Sequence, residues 1–263
     1  MIQRIVTSMI GLVVFFAVFF ASETVFAAAV AILILMALYE MNKAINAGKT
    51  IFLVSLLTGG AFFLGFLIEE LPLTIAASVM LFMIGSVFLH GKHDFKTVYA
   101  SAFVTYFVVF SFCSLIGIRS DFGAEAVLLV FIFSWITDTG AYFTGKFLGK
   151  HKLIPNVSPK KTVEGAVGGV VSTVVFTCLY LALLKHVFKI DNIGGADYLG
   201  VSILAIIASI LSQLGDLAAS VIKRDCNVKD FGTILPGHGG IMDRFDSVIF
   251  IAPVVFYYLT YLP

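Results

Sequence analysis

Residues 220–246 read SVIKRDCNVKDFGTILPGHGGIMDRFD. Lys223, Arg224, Asp225, Lys229, Asp230, Asp243, Arg244 and Asp246 crowd around the glycine-rich turn Pro236-Gly-His-Gly-Gly240. The chain on either side is opposite in character. Of its 263 residues 60% are hydrophobic and 13% charged, with a mean hydropathy of +1.04. Soluble domains carry about 45–50% apolar and about 25% charged residues, so the composition is that of an integral membrane protein. Apolar runs long enough to cross about 30 Å of hydrocarbon recur along the whole length, which predicts helices and not a barrel: an all-α, polytopic fold. A charged segment in such a chain needs a chemical reason, and work on a charged substrate at the membrane surface supplies one.

Nine apolar segments are expected, at 4–21, 24–42, 50–68, 72–90, 97–118, 123–145, 163–186, 198–222 and 241–262. The N-terminal Met1-Ile-Gln-Arg4 before an apolar run has the look of a signal peptide. A second apolar segment follows almost at once, so a retained first span is expected. With the N-terminus in the cytoplasm, Arg4, Lys43, Lys49, Lys92, Lys96, Lys146, Lys150, Lys152, Lys160, Lys161, Lys223, Arg224, Lys229 and Arg244 fall inside. Only Arg119, Lys185 and Lys189 fall outside, and together the two sets account for all 17 Lys and Arg. The positive-inside rule therefore predicts nine spans with the N-terminus in and the C-terminus out. Both long polar loops, 146–162 and 223–240, then face the cytoplasm. The expected division is 1–122 as a transmembrane scaffold with dimer and lipid contacts, and 123–263 as a catalytic transmembrane domain. A net charge of +1 without a basic arm or tail gives no reason to expect nucleic acid. Cys113, Cys178 and Cys226 have no metal-ligand spacing, and neither a disulfide nor a zinc site is expected.

Two carboxylates stand out inside apolar helices, Asp138 and Asp216. Counting the rise of about 1.5 Å per residue back from Gly145 and Lys223, each lies about 10 Å below the cytoplasmic edge. Intramembrane carboxylates are costly and tend to be functional, the alternative being a satisfied interhelical hydrogen bond. Helical spacing puts Ser220 and Lys223 on one face with Asp216, and Trp135 and Tyr142 on one face with Asp138. Asp243 and Asp246 begin the last segment. Acids there complement the helix macrodipole, but beside Asp216 and several cations they also suit Mg²⁺, which prefers carboxylate oxygens and takes remaining ligands from water and substrate phosphates. His238 lies in the glycine-rich turn, where backbone N–H groups can approach an anion; by itself it is also an ordinary turn residue. The loop 146–162 carries five lysines and leads into Thr162 and Glu164. A basic loop at this place can be purely topogenic, while Ser158-Pro-Lys-Lys-Thr-Val-Glu-Gly165 also reads as a phosphate-gripping turn.

Acids for metal, cations for phosphate, and no Ser/His/Asp or Cys/His pair point to phosphoryl or nucleotidyl transfer, where catalysis is mostly positioning and charge neutralisation. A phosphate-monoester nucleophile, with a second pKa of about 6, would need no strong general base.

Ser220-x-x-Lys-Arg224, Lys229-Asp230 and Leu235-Pro-Gly-His-Gly-Gly-Ile-Met-Asp-Arg-Phe-Asp246 closely resemble the signature of phosphatidate cytidylyltransferases, or CDP-diacylglycerol synthases. Trp135-x-x-Asp138-x-x-Ala141-Tyr142-x-x-Gly145-Lys146, Ser158-Pro-Lys-Lys-Thr-x-Glu-Gly165 and Gln213-Leu-Gly-Asp216 resemble further blocks of that family. The resemblance covers roughly residues 130–263; the first five segments match only in hydrophobic character. It implies that CTP and phosphatidate give CDP-diacylglycerol and pyrophosphate, with Mg²⁺ and a second, monovalent cation such as K⁺. It also implies a homodimer in the cell (inner) membrane, its pocket open to the cytoplasm. Carried onto this chain, it makes Asp216, Asp243 and Asp246 the metal-site acids. Lys223, Arg224, Lys229 and Arg244 would neutralise phosphates, and Ser158, Lys160, Lys161 and Thr162 would hold the nucleotide. Asp138, Glu164 and Ser220 would join them in binding substrate, and His238 would be a catalytic residue. Rival readings are a CTP-using enzyme acting on an ether-lipid phosphatidate or a polyprenol, and a cation-coupled transporter using Asp138 and Asp216. The outer loops offer the transporter no matching polar groups.

Overall fold

The computed structural model describes residues 2–89, 91–190, 197–234 and 239–262, with the side chains of 2–8 and 71 left aside. Its helices are α1 (Ile2–Phe19), α2 (Glu23–Ala44), α3 (Gly48–Leu67), α4 (Leu71–Leu89), α5 (Phe95–Phe122), α6 (Ala124–Leu148), α7 (Val163–Leu183), α8 (Tyr198–Asp225), α9 (Met242–Phe245) and α10 (Val248–Tyr261). Between α6 and α7 the chain makes a short antiparallel hairpin of β1 (Lys152–Ile154) and β2 (Ser158–Thr162), with Lys152 opposite Thr162 and Ile154 opposite Ser158. The fold is thus helical, as the hydropathy demands, apart from one hairpin that the all-α expectation did not include.

Among the described residues, seven helices are long and apolar enough to cross a membrane. They correspond to the second to eighth expected segments. Of the first segment, the part with described side chains, Met9–Phe19, is too short to count by itself. The last expected segment, 241–262, does not form one helix. The turn of α9 ends at Phe245, and α10 restarts at Val248 with 14 residues, about 21 Å of rise. Met80, Val87 and Phe88 on α4 and Leu199 and Ile203 on α8 are exposed, as side chains facing lipid tails would be.

The chain divides into two compact units. The first comprises Met1–Cys113 and Asp225–Arg244. Its apolar core gathers Ala47, Ile51, Phe82, Leu89 and Val98 from α3, α4 and α5 and the α2–α3 turn. A buried polar cluster ties three helices: Asn42 Nδ2 donates to the Leu38 carbonyl at 2.9 Å, and Asn42 Oδ1 accepts from Ser55 and Ser101.

The second unit comprises Ser114–Arg224 and Phe245–Pro263. Here α6, α7 and α8 meet around Thr137, whose Oγ1 lies 2.6 Å from the Phe133 carbonyl, 2.7 Å from Thr173 Oγ1 and 2.9 Å from Ser209 Oγ. All three hydroxyl residues are fully buried. Apolar surface gives no hydrophobic drive between helices in a bilayer, so such bonds and close packing carry more of the association. Thr137→Val keeps the shape and removes the central hydroxyl. It is expected to destabilise the protein by about 0.6–1.7 kcal/mol, read as a lower thermal midpoint in detergent.

Candidate functional site

The second unit contains a cavity of about 310 Å³ at the α6–α7 hairpin end, closed by α8. Asp138, Tyr142 and Lys146 reach it from α6, Lys160, Lys161 and Thr162 from β2, and Gln213 and Asp216 from α8. Of the residues expected to bind substrate or metal, Asp138, Lys160, Lys161, Thr162 and Asp216 therefore converge. Sequence motifs separated by up to 78 positions meet because α6 and α7 form an antiparallel pair and α8 packs beside them.

Local structure sets each of these side chains. Thr162 caps α7, its side-chain oxygen accepting from Gly165 N at 3.1 Å, so it ends the strand and starts the helix. Glu164 does not point to the cavity. Its carboxylate accepts from Lys150 N at 3.0 Å and His151 N at 3.2 Å and lies 2.6 Å from His151 Nδ1. Glu164 thereby ties the hairpin's first strand to α7, and at the N-terminus of that helix its charge is also favoured. Ser158 sits at the start of β2, half-buried and opposite Ile154. Gln213 anchors α8 to α7 by donating from Nε2 to the Ala166 carbonyl at 3.2 Å.

Charge decides what the cavity can hold. Lys161 Nζ lies 2.6 Å from Asp216 Oδ2, with both side chains partly exposed. A pair this open contributes at most about 1 kcal/mol, so Lys161 can exchange its carboxylate for a phosphate at little cost. Asp216 interacts electrostatically with Asp138 and with Asp246, Lys161 with Asp138, and Lys223 with Asp246. Three carboxylates gathered in this way repel one another and require cations. Lys146 Nζ stands 5.7 Å from the centre of the Tyr142 ring, so a further cation lies over an aromatic wall.

Asp216 and Asp246 come together because Gly215 lets α8 approach closely. A Cβ there would sit 2.7 Å from the Asp246 carbonyl oxygen and 2.8 Å from the Phe250 ring. Asp246 Oδ1 accepts from the amide of Ser247, the residue just before α10, at 2.8 Å. Ser220 is half-buried one turn after Asp216; Lys223 and Arg224 end α8, where the helix dipole favours cations.

Asp243, Lys229 and Arg244 belong to the first unit. Lys229 and Arg244 are exposed. Asp243 Oδ2 accepts from Phe231 N at 2.8 Å and Gly240 N at 2.9 Å, so this acid also folds the turn it follows. His238 lies outside the described residues. The Gly240, Ile241 and Met242 amides, candidates for holding an external anion, are bonded to the chain's own acids: Gly240 N to Asp243, Ile241 N and Met242 N to Glu40 at 3.0 Å each. Glu40 is 1% exposed and was missed by the sequence reading. It is an acid near the end of an apolar segment, and its partners lie about two hundred positions later in the chain.

Among the described residues no group of three or more His, Cys, Asp or Glu side chains is compact enough to hold a metal ion alone. The donor chemistry at Asp216 and Asp246 nevertheless suits a hard divalent cation that keeps waters and completes its shell with phosphate oxygens.

The chain matches a family model described as the cytidylyltransferase family over residues 2–262. It is 46% identical over 149 residues to a phosphatidate cytidylyltransferase of Staphylococcus saprophyticus, covering 57% of this chain and 54% of that protein. It is 38% identical over 160 residues to one of Thermotoga maritima, covering 61% of this chain and 58% of that protein. For one of Bacillus subtilis the identity is 37% over 184 residues, covering 69% of this chain and 65% of that protein. The aligned region thus spans between about half and two thirds of the curated relatives' length.

Proposed function

Because this chain belongs to the cytidylyltransferase family, we propose that it transfers the cytidylyl group of CTP to phosphatidate, giving CDP-diacylglycerol and pyrophosphate. A phosphate oxygen of phosphatidate attacks the α-phosphorus of CTP. One P–O bond forms, the bond between that phosphorus and the α–β bridging oxygen breaks, and the bridging oxygen leaves with pyrophosphate. The observation that carries this reading is the cavity in which Asp138 and Asp216 face Lys146, Lys160 and Lys161. That lining suits a nucleoside triphosphate far better than a neutral ligand or an acyl group.

Lys160 and Lys161 act as point charges on the triphosphate, and Lys161 exchanges Asp216 for a phosphate oxygen when the nucleotide enters. Lys146 and Tyr142 form the cavity's far wall. Lys223, Arg224, Lys229 and Arg244 serve the charge of the departing pyrophosphate and of the lipid phosphate. Asp216 and Asp246 would hold Mg²⁺, and the family resemblance makes Asp243 a further metal-site acid. When bound, the ion neutralises charge on the phosphates and lowers the repulsion between two anions. A second cation such as K⁺ is part of the same reading. The site faces the cytoplasm, where CTP is found. The lipid reaches it from the inner-membrane leaflet, and the working form is a homodimer. The positive-inside distribution of Lys and Arg supports that orientation.

Pyrophosphate release tests the proposal. The purified chain in mixed micelles with phosphatidate should release pyrophosphate with CTP and far less with ATP, GTP or UTP. Equal release with every nucleotide, or release that does not depend on phosphatidate, would refute it.

A further inference from the structure

Glu40 sits on α2, in the half of the chain where no motif was recognised, yet both of its carboxylate oxygens accept hydrogen bonds from the glycine-rich segment about two hundred positions later. Oε1 accepts from Ile241 N and Oε2 from Met242 N, each at 3.0 Å. The carboxylate is wedged between two glycines. A Cβ built on Gly232 or on Gly240 would collide with it outright. Asp243, the next residue after these amides, holds the same turn from its other side through Phe231 N and Gly240 N. Lys43, one turn further along α2, and Asp243 are the charged groups that act electrostatically on Glu40. A charge this buried is costly and persists where the surrounding structure depends on it.

We propose that Glu40 is a positioning residue for nucleotidyl transfer: it fixes the turn 239–243 and thereby sets where Asp243 and Arg244 are presented. The inference rests on the reaction proposed above. It assigns the N-terminal helices a share in the reaction, where sequence resemblance gave them only a scaffold. It also accounts for Gly232 and Gly240, whose missing side chains make room for an internal carboxylate.

Glu40→Gln tests it. The amide keeps the volume but offers a single oxygen, and its NH2 group faces a backbone donor. The full chain in mixed micelles should lose at least about tenfold in kcat, the loss of a hydrogen bond to a charged acceptor, while KM for CTP stays within about threefold and the thermal midpoint is kept. Amide hydrogen exchange at Ile241 and Met242 should speed by a similar factor. Gly240→Ala, which pushes a methyl group into the same carboxylate, provides a second route. Combined with Glu40→Ala it should be no worse than the poorer single variant, because both act through one contact. Additive losses, or Glu40→Gln with wild-type kcat, would overturn the role of Glu40, even if exchange at the turn quickened. A wild-type chain that makes no CDP-diacylglycerol would instead sink the reaction itself, a separate and distinguishable failure.

Discussion

Asp216→Asn is expected to lower kcat by about a hundred- to thousandfold, the usual effect of removing one preorganised charge at a phosphate-transfer centre. Three features of its surroundings lead to that figure. Asp216 lines the cavity, is paired with Lys161 and interacts electrostatically with both Asp138 and Asp246. The amide preserves the size of the side chain and its packing on α8, so membrane insertion and the thermal midpoint should hold. The kinetic signature separates a reaction role from a structural one. With the acid gone, Lys161 loses its ion-pair partner and keeps the electrostatic interaction with Asp138, and the cavity becomes more positive. The KM for CTP should therefore stay level or fall while kcat collapses, which marks an interaction realised in the transition state. Lys161→Met should do the reverse, raising KM for CTP more than it lowers kcat. A near-normal kcat for Asp216→Asn would remove this residue from the reaction.

Asp243→Asn is expected to abolish measurable turnover while leaving the turn intact. The substitution is informative because Asn can direct its Oδ1 to Phe231 N and Gly240 N, the bonds that Asp243 Oδ2 makes now. It removes the charge and keeps the geometry. Asp243→Ala removes both and should also quicken hydrogen exchange at Phe231 and Gly240. If Asp243 serves only to fold the turn, Asp243→Asn will retain most activity and Asp243→Ala will lose it. If its charge takes part in the reaction, both lose activity and only Asp243→Ala disturbs the turn.

The cavity was legible because its residues are polar exceptions in an apolar chain. Asp138, Lys160, Lys161, Thr162 and Asp216 each stand out against their neighbours, and the structure brings all five to one cavity. Glu164 stood out equally and does something else: its carboxylate bonds to Lys150 and His151 backbone, a partner that spacing along the chain does not reveal. The hairpin of β1 and β2 was hidden because its strands are short and lysine-rich, and the Glu164 and Thr162 bonds at its ends are not visible in the spacing. Hydropathy located the membrane-spanning stretches but smoothed over the break after Phe245, since Ser247 and Asp246 are two polar residues in an apolar window. Glu40 escaped for the deepest reason. Its meaning lies entirely in two amides far along the chain, and nothing in residues 30–50 distinguishes it from an acid at a membrane edge.

The most direct measurement follows the two ends of the triphosphate. The purified chain is given phosphatidate and CTP labelled on either the α- or the γ-phosphorus, and lipid is separated from water. Cytidylyl transfer puts the α-label into lipid, leaves the γ-label in aqueous pyrophosphate, and yields one pyrophosphate per labelled lipid. Lipid carrying the γ-label would identify a CTP-dependent kinase, and lipid carrying neither would contradict the proposed reaction.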